Sequence, residues 1–156
     1  MPEVTIRDAN AGDVDALLRL LRQLDPPDEA PDEPTARAAI DAVTRQPGMR
    51  LVVAEVGGAV VGALMMAILP NLSHHAQPWC QMENLVVDEA HRGRGIGRAL
   101  MDWCEEAARE AGCYKLQFQS RNHRRISHRF YRRIGYQALT VGFRRYLTEQ
   151  PPPPPP

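Results

Sequence analysis

Residues 82–100 read MENLVVDEAHRGRGIGRAL. The stretch begins with β-prone apolar residues and ends in apolar residues at helical spacing, with three glycines and three arginines between positions 92 and 98. The first N–H groups of a helix have no partner inside the helix, and glycine lets an anion approach the backbone without a Cβ in the way. The pattern therefore predicts a strand, an anion-binding turn and a helix.

Two other phosphate-binding loops do not match this turn. An NTPase loop requires Gly-Lys followed by Ser or Thr, whereas Gly97 is followed by Arg98 and Ala99. A dinucleotide-binding turn requires G-x-G-x-x-G with an acid about twenty residues later, and residues 113–119 contain no acid. For the turn taken alone, a plain strand-to-helix connection remains an open alternative.

The charge of the chain is unevenly distributed. Its 156 residues include 19 basic and 19 acidic side chains, but residues 91–146 hold thirteen basic residues against four acidic ones. This half is expected to meet an anionic partner, either a phosphorylated cofactor or a nucleic acid. The length predicts one domain over residues 1–149, followed by a proline-rich tail over residues 150–156.

The cysteines and the apolar segments exclude other classes of protein. Cys80, Cys104 and Cys113 form an odd set without a C-x-x-C pair, so neither a disulfide framework nor a metal site is expected. The longest apolar run, residues 59–69, is too short to cross a membrane, and no signal peptide is visible. A cytoplasmic location is the expectation.

Local patterns predict a mixed sheet covered by helices on both faces. A first helix capped by Asn10 is predicted to bury Val14, Leu17, Leu18, Leu21 and Leu24. The other predicted helices are residues 34–46, 97–111 and 124–134. The predicted strands are residues 4–7, 51–56, 59–69, 79–87 and 114–119, with a pair over residues 136–147.

Three ordered segments carry a family resemblance. Residues 92–97 match the R/Q-x-x-G-x-G/A signature of the GNAT superfamily of N-acetyltransferases, and residues 82–88 and 130–136 resemble that family's neighbouring segments. The resemblance covers nearly all of residues 3–147. It implies a mixed α/β fold with a mostly antiparallel, twisted sheet of about seven strands, splayed between the fourth and fifth, and about four helices.

The resemblance also implies an activity and a co-substrate. It implies acetyl transfer from acetyl-CoA to a primary amine in a ternary complex, without a metal. The pyrophosphate of coenzyme A would lie on the turn, and an N–H group near Leu85 would polarise the thioester carbonyl. The positions matching the family's cofactor contacts are Leu85, Val86, Val87, Arg92, Gly93, Arg94, Gly95, Ile96, Gly97, Arg98, Asn122 and Arg124.

Two residues match catalytic positions of the family. Glu83 is the candidate general base, although it could instead pair with an arginine or with the substrate ammonium. Tyr131 matches the tyrosine that protonates the leaving sulfur. One departure concerns the asparagine that many relatives carry seven residues before this tyrosine: the position is Arg124 here, and Asn122 is a candidate substitute.

The residues next to Tyr131 bear on the direction of its side chain. Phe130 is expected to point into the core with Ile126 and Ile134, which would leave Tyr131 on the cleft side, because consecutive helical residues differ by about 100°.

Charged segments of the sequence also bear on the acceptor amine and on the binding partners. Acids in the loop of residues 25–34 suggest a cationic acceptor, and the family commonly forms homodimers. The six arginines between positions 121 and 133 resemble a nucleic-acid patch, but a solvated helix face that meets the 3′-phosphate of the cofactor is favoured. No membrane partner is expected. An alternative function is a coenzyme-A-binding regulatory or sensor module that has lost catalysis.

Overall fold

The computed structural model describes residues 3–24 and 30–148. The described residues up to Phe118 form one compact unit, and those from Gln119 form a second. The single domain over residues 1–149 stays a prediction, and the tail at 150–156 lies outside the described residues.

The strands are β1 Val4–Asp8, β2 Met49–Val56, β3 Ala59–Leu69, β4 Trp79–Val87 and β5 Leu116–Gln117. The helices are α1 Val14–Leu24, α2 Glu33–Arg45, α3 Ile96–Glu110 and α4 Arg125–Arg133.

The strands form one mixed sheet in chain order. β1 to β4 pair antiparallel with their neighbours, and β5 joins β4 in parallel. β5 pairs at only two positions, Cys80 with Leu116 and Gln81 with Gln117. Beyond these, residues 82–87 have no paired neighbour on the β5 side in the described part of the chain. The predicted mixed α/β fold and the opening between the fourth and fifth strands are therefore confirmed.

The predicted number of strands is too high. The described residues contain five strands, not about seven, because residues 136–148 form no strand. Leu139, Val141 and Phe143 in this segment are exposed. Alternating apolar residues favour a strand, but a ribbon needs a packed apolar face to be stable, and these side chains lack one. The predicted strand over 114–119 is also shorter and comprises only β5.

Local signals determine the helix starts and the hairpin. Asn10 accepts a hydrogen bond from the N–H of Gly12, and Asp13 completes a capping box before α1. Asp32 caps α2 by accepting from the N–H of Thr35. Between β2 and β3, the dipeptide at 57–58 has φ of +57° and +82°, the left-handed conformation that glycine adopts easily.

Helices cover both faces of the sheet. Ala63 of β3 belongs to a buried cluster with residues of α1 and α2. Its neighbour Gly62 faces the other way, toward Leu100 and Ile96 of α3, since successive positions of a strand alternate between the two faces. A methyl group at Gly62 would sit 3.1 Å from Leu100 Cδ1. Even a methyl group at this position would therefore require its neighbours in α3 and β4 to move by a few tenths of an ångström.

The buried stripe of α1 differs from the prediction. Val14, Leu17 and Leu18 are buried as predicted, and Leu20 is completely buried, whereas Leu21 and Leu24 are only partly covered. α1 packs against α2 as well as against β3 and β4. A helix with two kinds of neighbour buries a wider face than a single stripe, which explains the burial of Leu20.

The second unit contains α4 and the irregular segment that follows it. Phe130 and Ile134 are not in the same environment as Ile126: Ile126 is 76% exposed, so its predicted place in a core with Phe130 is wrong. Ile126 is the second residue of α4, so no earlier turn of the helix carries apolar residues on the same face. Phe130 and Ile134 are partly covered, and no residue of α4 is fully buried.

Candidate functional site

A β-bulge interrupts β4 next to Glu83. Met65 pairs with Glu83 and Ala63 pairs with Val86, so β4 takes three residue steps where β3 takes two. Asn84 accommodates the extra residue with φ of +56°, a conformation that asparagine tolerates better than most residues. A bulge bends its strand and redirects side chains, and such irregularities are common beside active sites. Apart from the identity of Asn84, no local pattern in the sequence indicates this bulge.

The turn after β4 is held by its glycines in a conformation open to a ligand. Gly93 and Gly95 have φ of +75° and +83°, and a methyl group added at either would have no atom of the described residues within 4 Å, its chain neighbours aside. Packing therefore does not require glycine at these two positions, whereas the left-handed backbone does. The open space in front of the turn is available to a bound group.

The N-terminus of α3 carries uncompensated donors. Among the described residues no side chain caps this helix, and its first turn contains no acid, in contrast to α2 with its Asp32 cap. The first N–H groups of a helix lack partners and carry the positive end of the helix dipole. Together with the turn, this end of α3 fits a pyrophosphate, since that group supplies several acceptor oxygens and negative charge.

The three arginines of the turn differ in their engagement. Arg92 Nε donates to the carbonyl of Val87 at 3.0 Å, and Arg98 Nε donates to the carboxylate of Asp102 at 2.7 Å. For Arg94, which is exposed, the described residues include no hydrogen-bond or ion-pair partner. Arg94 is therefore the arginine of the turn whose guanidinium is most available to an anion.

A buried carboxylate anchors the turn to the protein. Asp88, 7% exposed, directly follows β4, accepts from the N–H of Ala90 at 3.0 Å and forms an ion pair with Arg19 of α1. Burial alone would raise the pKa of Asp88, but the Ala90 hydrogen bond and the Arg19 charge outweigh it and hold the pKa below its usual range. Arg19 also donates to the carbonyl of Val60 at 2.8 Å. The beginning of the turn is thus tied to both α1 and β3.

The contribution of α1 to this anchor is not predicted by the sequence. Besides Arg19, Gln23 accepts a hydrogen bond from the N–H of Glu89 at 2.9 Å. The only local signal is Asp88 itself, which stands where a strand ends and a short helical turn begins, a typical capping position. The two partners from α1 lie far away in the sequence, Arg19 69 residues before Asp88 and Gln23 66 residues before Glu89, so no local pattern identifies them.

Glu83 lies on the bulged strand at the opening of the sheet. Its side chain is partly exposed, and one carboxylate oxygen, Oε1, accepts a hydrogen bond from Gln81 Nε2 at 2.9 Å. No arginine forms an ion pair with it among the described residues. The described residues therefore do not include the ion pair with an arginine that is the alternative role of Glu83.

Tyr131 lies on α4 in the second unit. Its ring is 5.3 Å from that of Phe130 and 6.4 Å from that of Tyr136, measured between centroids. Burial raises the pKa of Tyr131 above its ordinary value, and the charge of Arg124 opposes the shift. The phenol therefore keeps its proton at neutral pH. Arg124 directly precedes α4, and Asn122 is exposed two residues earlier.

Neither a metal cluster nor a membrane-spanning helix occurs in the described part of the chain. Within residues 3–24 and 30–148, no group of three or more His, Cys, Asp or Glu side chains could hold a metal ion. None of the described helices combines the length and the apolar character that crossing a membrane requires. Cys80 and Cys104 are buried, Cys113 is partly covered, and all three are free thiols.

Comparison with known proteins agrees with the geometry of the turn. Residues 14–136 match the model of the Acetyltransferase (GNAT) family. The chain is 33% identical over 137 residues to an aminoalkylphosphonate N-acetyltransferase of Salmonella typhimurium, covering 88% of this chain and 87% of that protein. It is 37% identical over 82 residues to a glucosamine 6-phosphate N-acetyltransferase of Trypanosoma brucei brucei, covering 52% and 53%.

A solved structure supports the same assignment. A putative acetyltransferase from Agrobacterium tumefaciens superposes with a TM-score of 0.85 and 35% identity, covering 91% of this chain and 99% of that one. The family match, the similar N-acetyltransferases and the shared fold confirm what the three sequence motifs predicted. The chain belongs to the GNAT family, and it is an acetyl-CoA-dependent N-acetyltransferase.

Proposed function

We propose that this enzyme acetylates the primary amine of a small molecule that also carries a phosphate or phosphonate group, by direct attack in a ternary complex with acetyl-CoA. The observation that carries the transfer reaction is the uncapped N-terminus of α3 behind Gly93 and Gly95, in a chain of the GNAT family. This arrangement presents backbone donors to an anion and suits the pyrophosphate of coenzyme A.

The acceptor class is supported by the relatives and by charge. Two similar proteins are named for an aminoalkylphosphonate and for glucosamine 6-phosphate, which are both amines that bear a phosphoryl group. Residues 119–148 contain eight arginines and no acid. Guanidinium groups bind phosphate and phosphonate oxygens in bidentate fashion, so this composition suits an anionic acceptor as well as the cofactor.

A cationic acceptor is the rival class. It rests on the acids of the loop at 25–34, of which residues 25–29 lie outside the described residues. Acids at the entrance of a site would attract an amine through its ammonium group alone, whereas an anionic acceptor needs a basic contact as well. The two classes are therefore separated by removing the phosphoryl group from the acceptor.

The catalytic steps are assigned to two side chains. Glu83 takes a proton from the acceptor ammonium, directly or through water, because an amine with a pKa near 10.4 is protonated at neutral pH and cannot attack. Tyr131 donates its proton to the departing sulfur, and its raised pKa keeps that proton in place until then. An N–H group near Leu85, beside the bulge, stabilises the charge that develops on the carbonyl oxygen.

Coenzyme A binding is assigned to the turn and to the strand before it. The backbone donors from Arg92 to Gly97, with Arg98, hold the pyrophosphate, and the open edge of β4 at 85–87 holds the pantetheine arm. Arg94 contributes charge through its side chain. Asn122 and Arg124 provide further contacts from the segment before α4.

A thiol-release assay with paired acceptors tests this function. Each phosphorylated amine is measured beside its analogue without the phosphoryl group: glucosamine 6-phosphate with glucosamine, and 2-aminoethylphosphonate with ethylamine. Polyamines, aminoglycosides and lysine peptides represent the cationic class. We expect kcat/KM to be at least about tenfold higher for the phosphorylated member of a pair, as one charge-assisted contact provides. Preference for polyamines or aminoglycosides would refute the acceptor class but not the transfer reaction.

The variant Tyr131→Phe tests the assigned acid. It should keep the affinity for acetyl-CoA and lower kcat at least about tenfold, as loss of a positioned proton donor does. Thiol release at the wild-type rate by this variant would remove the role of Tyr131. Cofactor binding without thiol release from any amine, in the wild type, would instead favour the coenzyme-A-binding module that lacks catalysis.

A further inference from the structure

A chain of amide side chains leads across two strands to Glu83. Gln81 and Glu83 lie two residues apart on β4 and so share one face of the sheet, and Gln117 is the partner of Gln81 on β5. Gln117 Nε2 donates to Gln81 Oε1 at 3.3 Å, and Gln81 Nε2 donates to Glu83 Oε1 at 2.9 Å. All three residues are partly buried.

The direction of this chain is fixed by chemistry. An ionised carboxylate only accepts hydrogen bonds, so the end of the Gln81 amide that faces Glu83 must be the NH₂ group. The oxygen of Gln81 then points toward Gln117, which must present its own NH₂ group. Reversal of either amide would place two acceptors against each other, and each amide is therefore held in one orientation.

The network leaves one oxygen of Glu83 available. Oε1 accepts from Gln81, and within residues 3–24 and 30–148 no hydrogen-bond partner is found for Oε2. Gln81 Nε2 also donates to the carbonyl of Met82 at 3.3 Å, which ties the amide to its own strand. A carboxylate held through one oxygen keeps the other in a defined direction.

We propose that Gln81 and Gln117 are positioning residues for the Glu83 carboxylate, with Gln81 acting on it directly and Gln117 acting through Gln81. This inference rests on the general-base role proposed for Glu83. Glu83 stands immediately before the bulge at Asn84, where the strand bends and the ladder is irregular. On the β5 side, the regular pairing of β4 ends at Gln81. The hydrogen bonds of the two amides therefore hold the Glu83 carboxylate in place two residues beyond the last paired position.

Methionine substitutions test the proposal with little change in shape, because methionine is an unbranched side chain of similar length without a hydrogen-bond donor. The enzyme is assayed with the acceptor that gives the fastest thiol release. Gln81→Met should lower kcat about tenfold, because small displacements of a catalytic group are costly, while the KM for acetyl-CoA stays within about twofold. Gln117→Met should lower kcat about threefold by the same route. Gln46→Met, an exposed glutamine at the end of α2, is the matched control and should leave kcat unchanged.

A double-mutant cycle separates positioning from other roles. If Gln81 acts through Glu83, Gln81→Met should change kcat by less than about twofold in the Glu83→Ala background. The same loss in both backgrounds, or a wild-type kcat for Gln81→Met, would overturn the inference and leave the role of Glu83 intact. A wild-type kcat for Glu83→Ala would refute the general-base role, and the positioning role would fail with it.

The network itself can be observed without turnover. In Glu83→Ala, the side-chain NH₂ signals of Gln81 and Gln117 should shift in ¹⁵N–¹H correlation spectra. The NH₂ group of Gln81 loses the carboxylate to which it donates, and Gln117 donates to the same Gln81 amide. The NH₂ signal of Gln46 should not move. Unchanged signals for Gln81 and Gln117 would show that the amides do not order this carboxylate.

Discussion

Replacing Gly95 with alanine separates the structural and functional roles of the turn before α3. Gly95 has φ of +83°, and a methyl group there would lie more than 4 Å from every described residue except its chain neighbours. The substitution therefore causes no clash and costs only the strain of a left-handed alanine, about 1–2 kcal/mol. For a chain of this size, that loss lowers Tm by about 2–8 °C.

The functional effect of Gly95→Ala comes from the ligand side of the turn. The methyl group projects into space that the protein leaves open, beside the free donors at the start of α3. If the pyrophosphate occupies that space, one charge-assisted hydrogen bond of about 1.5 kcal/mol or more is lost. The KM for acetyl-CoA, or its Kd by calorimetry, should then rise about tenfold or more.

Gly112→Ala is the matched control because it occupies the other end of the same helix. Gly112 follows the C-terminus of α3 with φ of +74°, and apart from its chain neighbours a methyl group there would also meet no described residue within 4 Å. Both variants should lose similar stability in thermal unfolding, but only Gly95→Ala should lose affinity for acetyl-CoA. Equal affinities in the two variants would refute the assignment of the pyrophosphate to this turn.

Three further predictions concern the anion site, the core and the pH dependence of stability. Arg94→Gln should raise the KM for acetyl-CoA about fivefold at low ionic strength and less at high salt, because its guanidinium is exposed and salt screens its charge. Gly62→Ala should lower the free energy of unfolding by about 1–3 kcal/mol through overpacking under α3, whereas Gly142→Ala, with its nearest neighbour at 3.8 Å, should change it little in denaturant titrations. Asp13→Asn should destabilise the protein by about 1–3 kcal/mol at pH 7, because it removes the charged acceptor of the Arg7 hydrogen bonds, which lower the pKa of Asp13. The free energy of unfolding is measured for both proteins from pH 7 downward. Its difference from wild type should persist above about pH 4 and vanish as the pH falls through the lowered pKa of Asp13. A difference that grew toward acid would contradict the last of these.

The elements that were predicted correctly are those determined by neighbouring residues. The capping residue Asn10 precedes its helix, the glycine pair at 57–58 forms a tight turn, and Gly93 and Gly95 lie between β4 and α3. Each depends on the conformational preference of a few consecutive residues, and such preferences are visible in the sequence.

The features that were missed depend on distant parts of the chain. The bulge at Asn84 follows from the register between β3 and β4, and the anchoring of Asp88 depends on Arg19, which lies 69 residues earlier. The burial of Leu20 follows from the packing of α1 on two neighbours. After residue 136 the sequence predicts a pair of strands that the structure does not contain. Alternating apolar residues indicate a tendency to form a strand, but they do not show that a neighbouring strand is available for pairing.

The side chains around the turn explain why its backbone can act as the binding surface. Asp88 is engaged by Arg19, Arg92 by the carbonyl of Val87, and Arg98 by Asp102, so most charged groups of the turn bond to the protein. Among the described residues, the N–H groups at the start of α3 have no side-chain cap. The contacts of Asp88, Arg92 and Arg98 hold the backbone that carries these N–H groups in place. Donors fixed in advance bind an anion without the cost of ordering them. Recognition by this turn should therefore depend on the backbone conformation of Gly93 and Gly95 more than on any single side chain. In the signature R/Q-x-x-G-x-G/A that residues 92–97 match, two of the three specified positions are accordingly glycine or alanine, here Gly95 and Gly97.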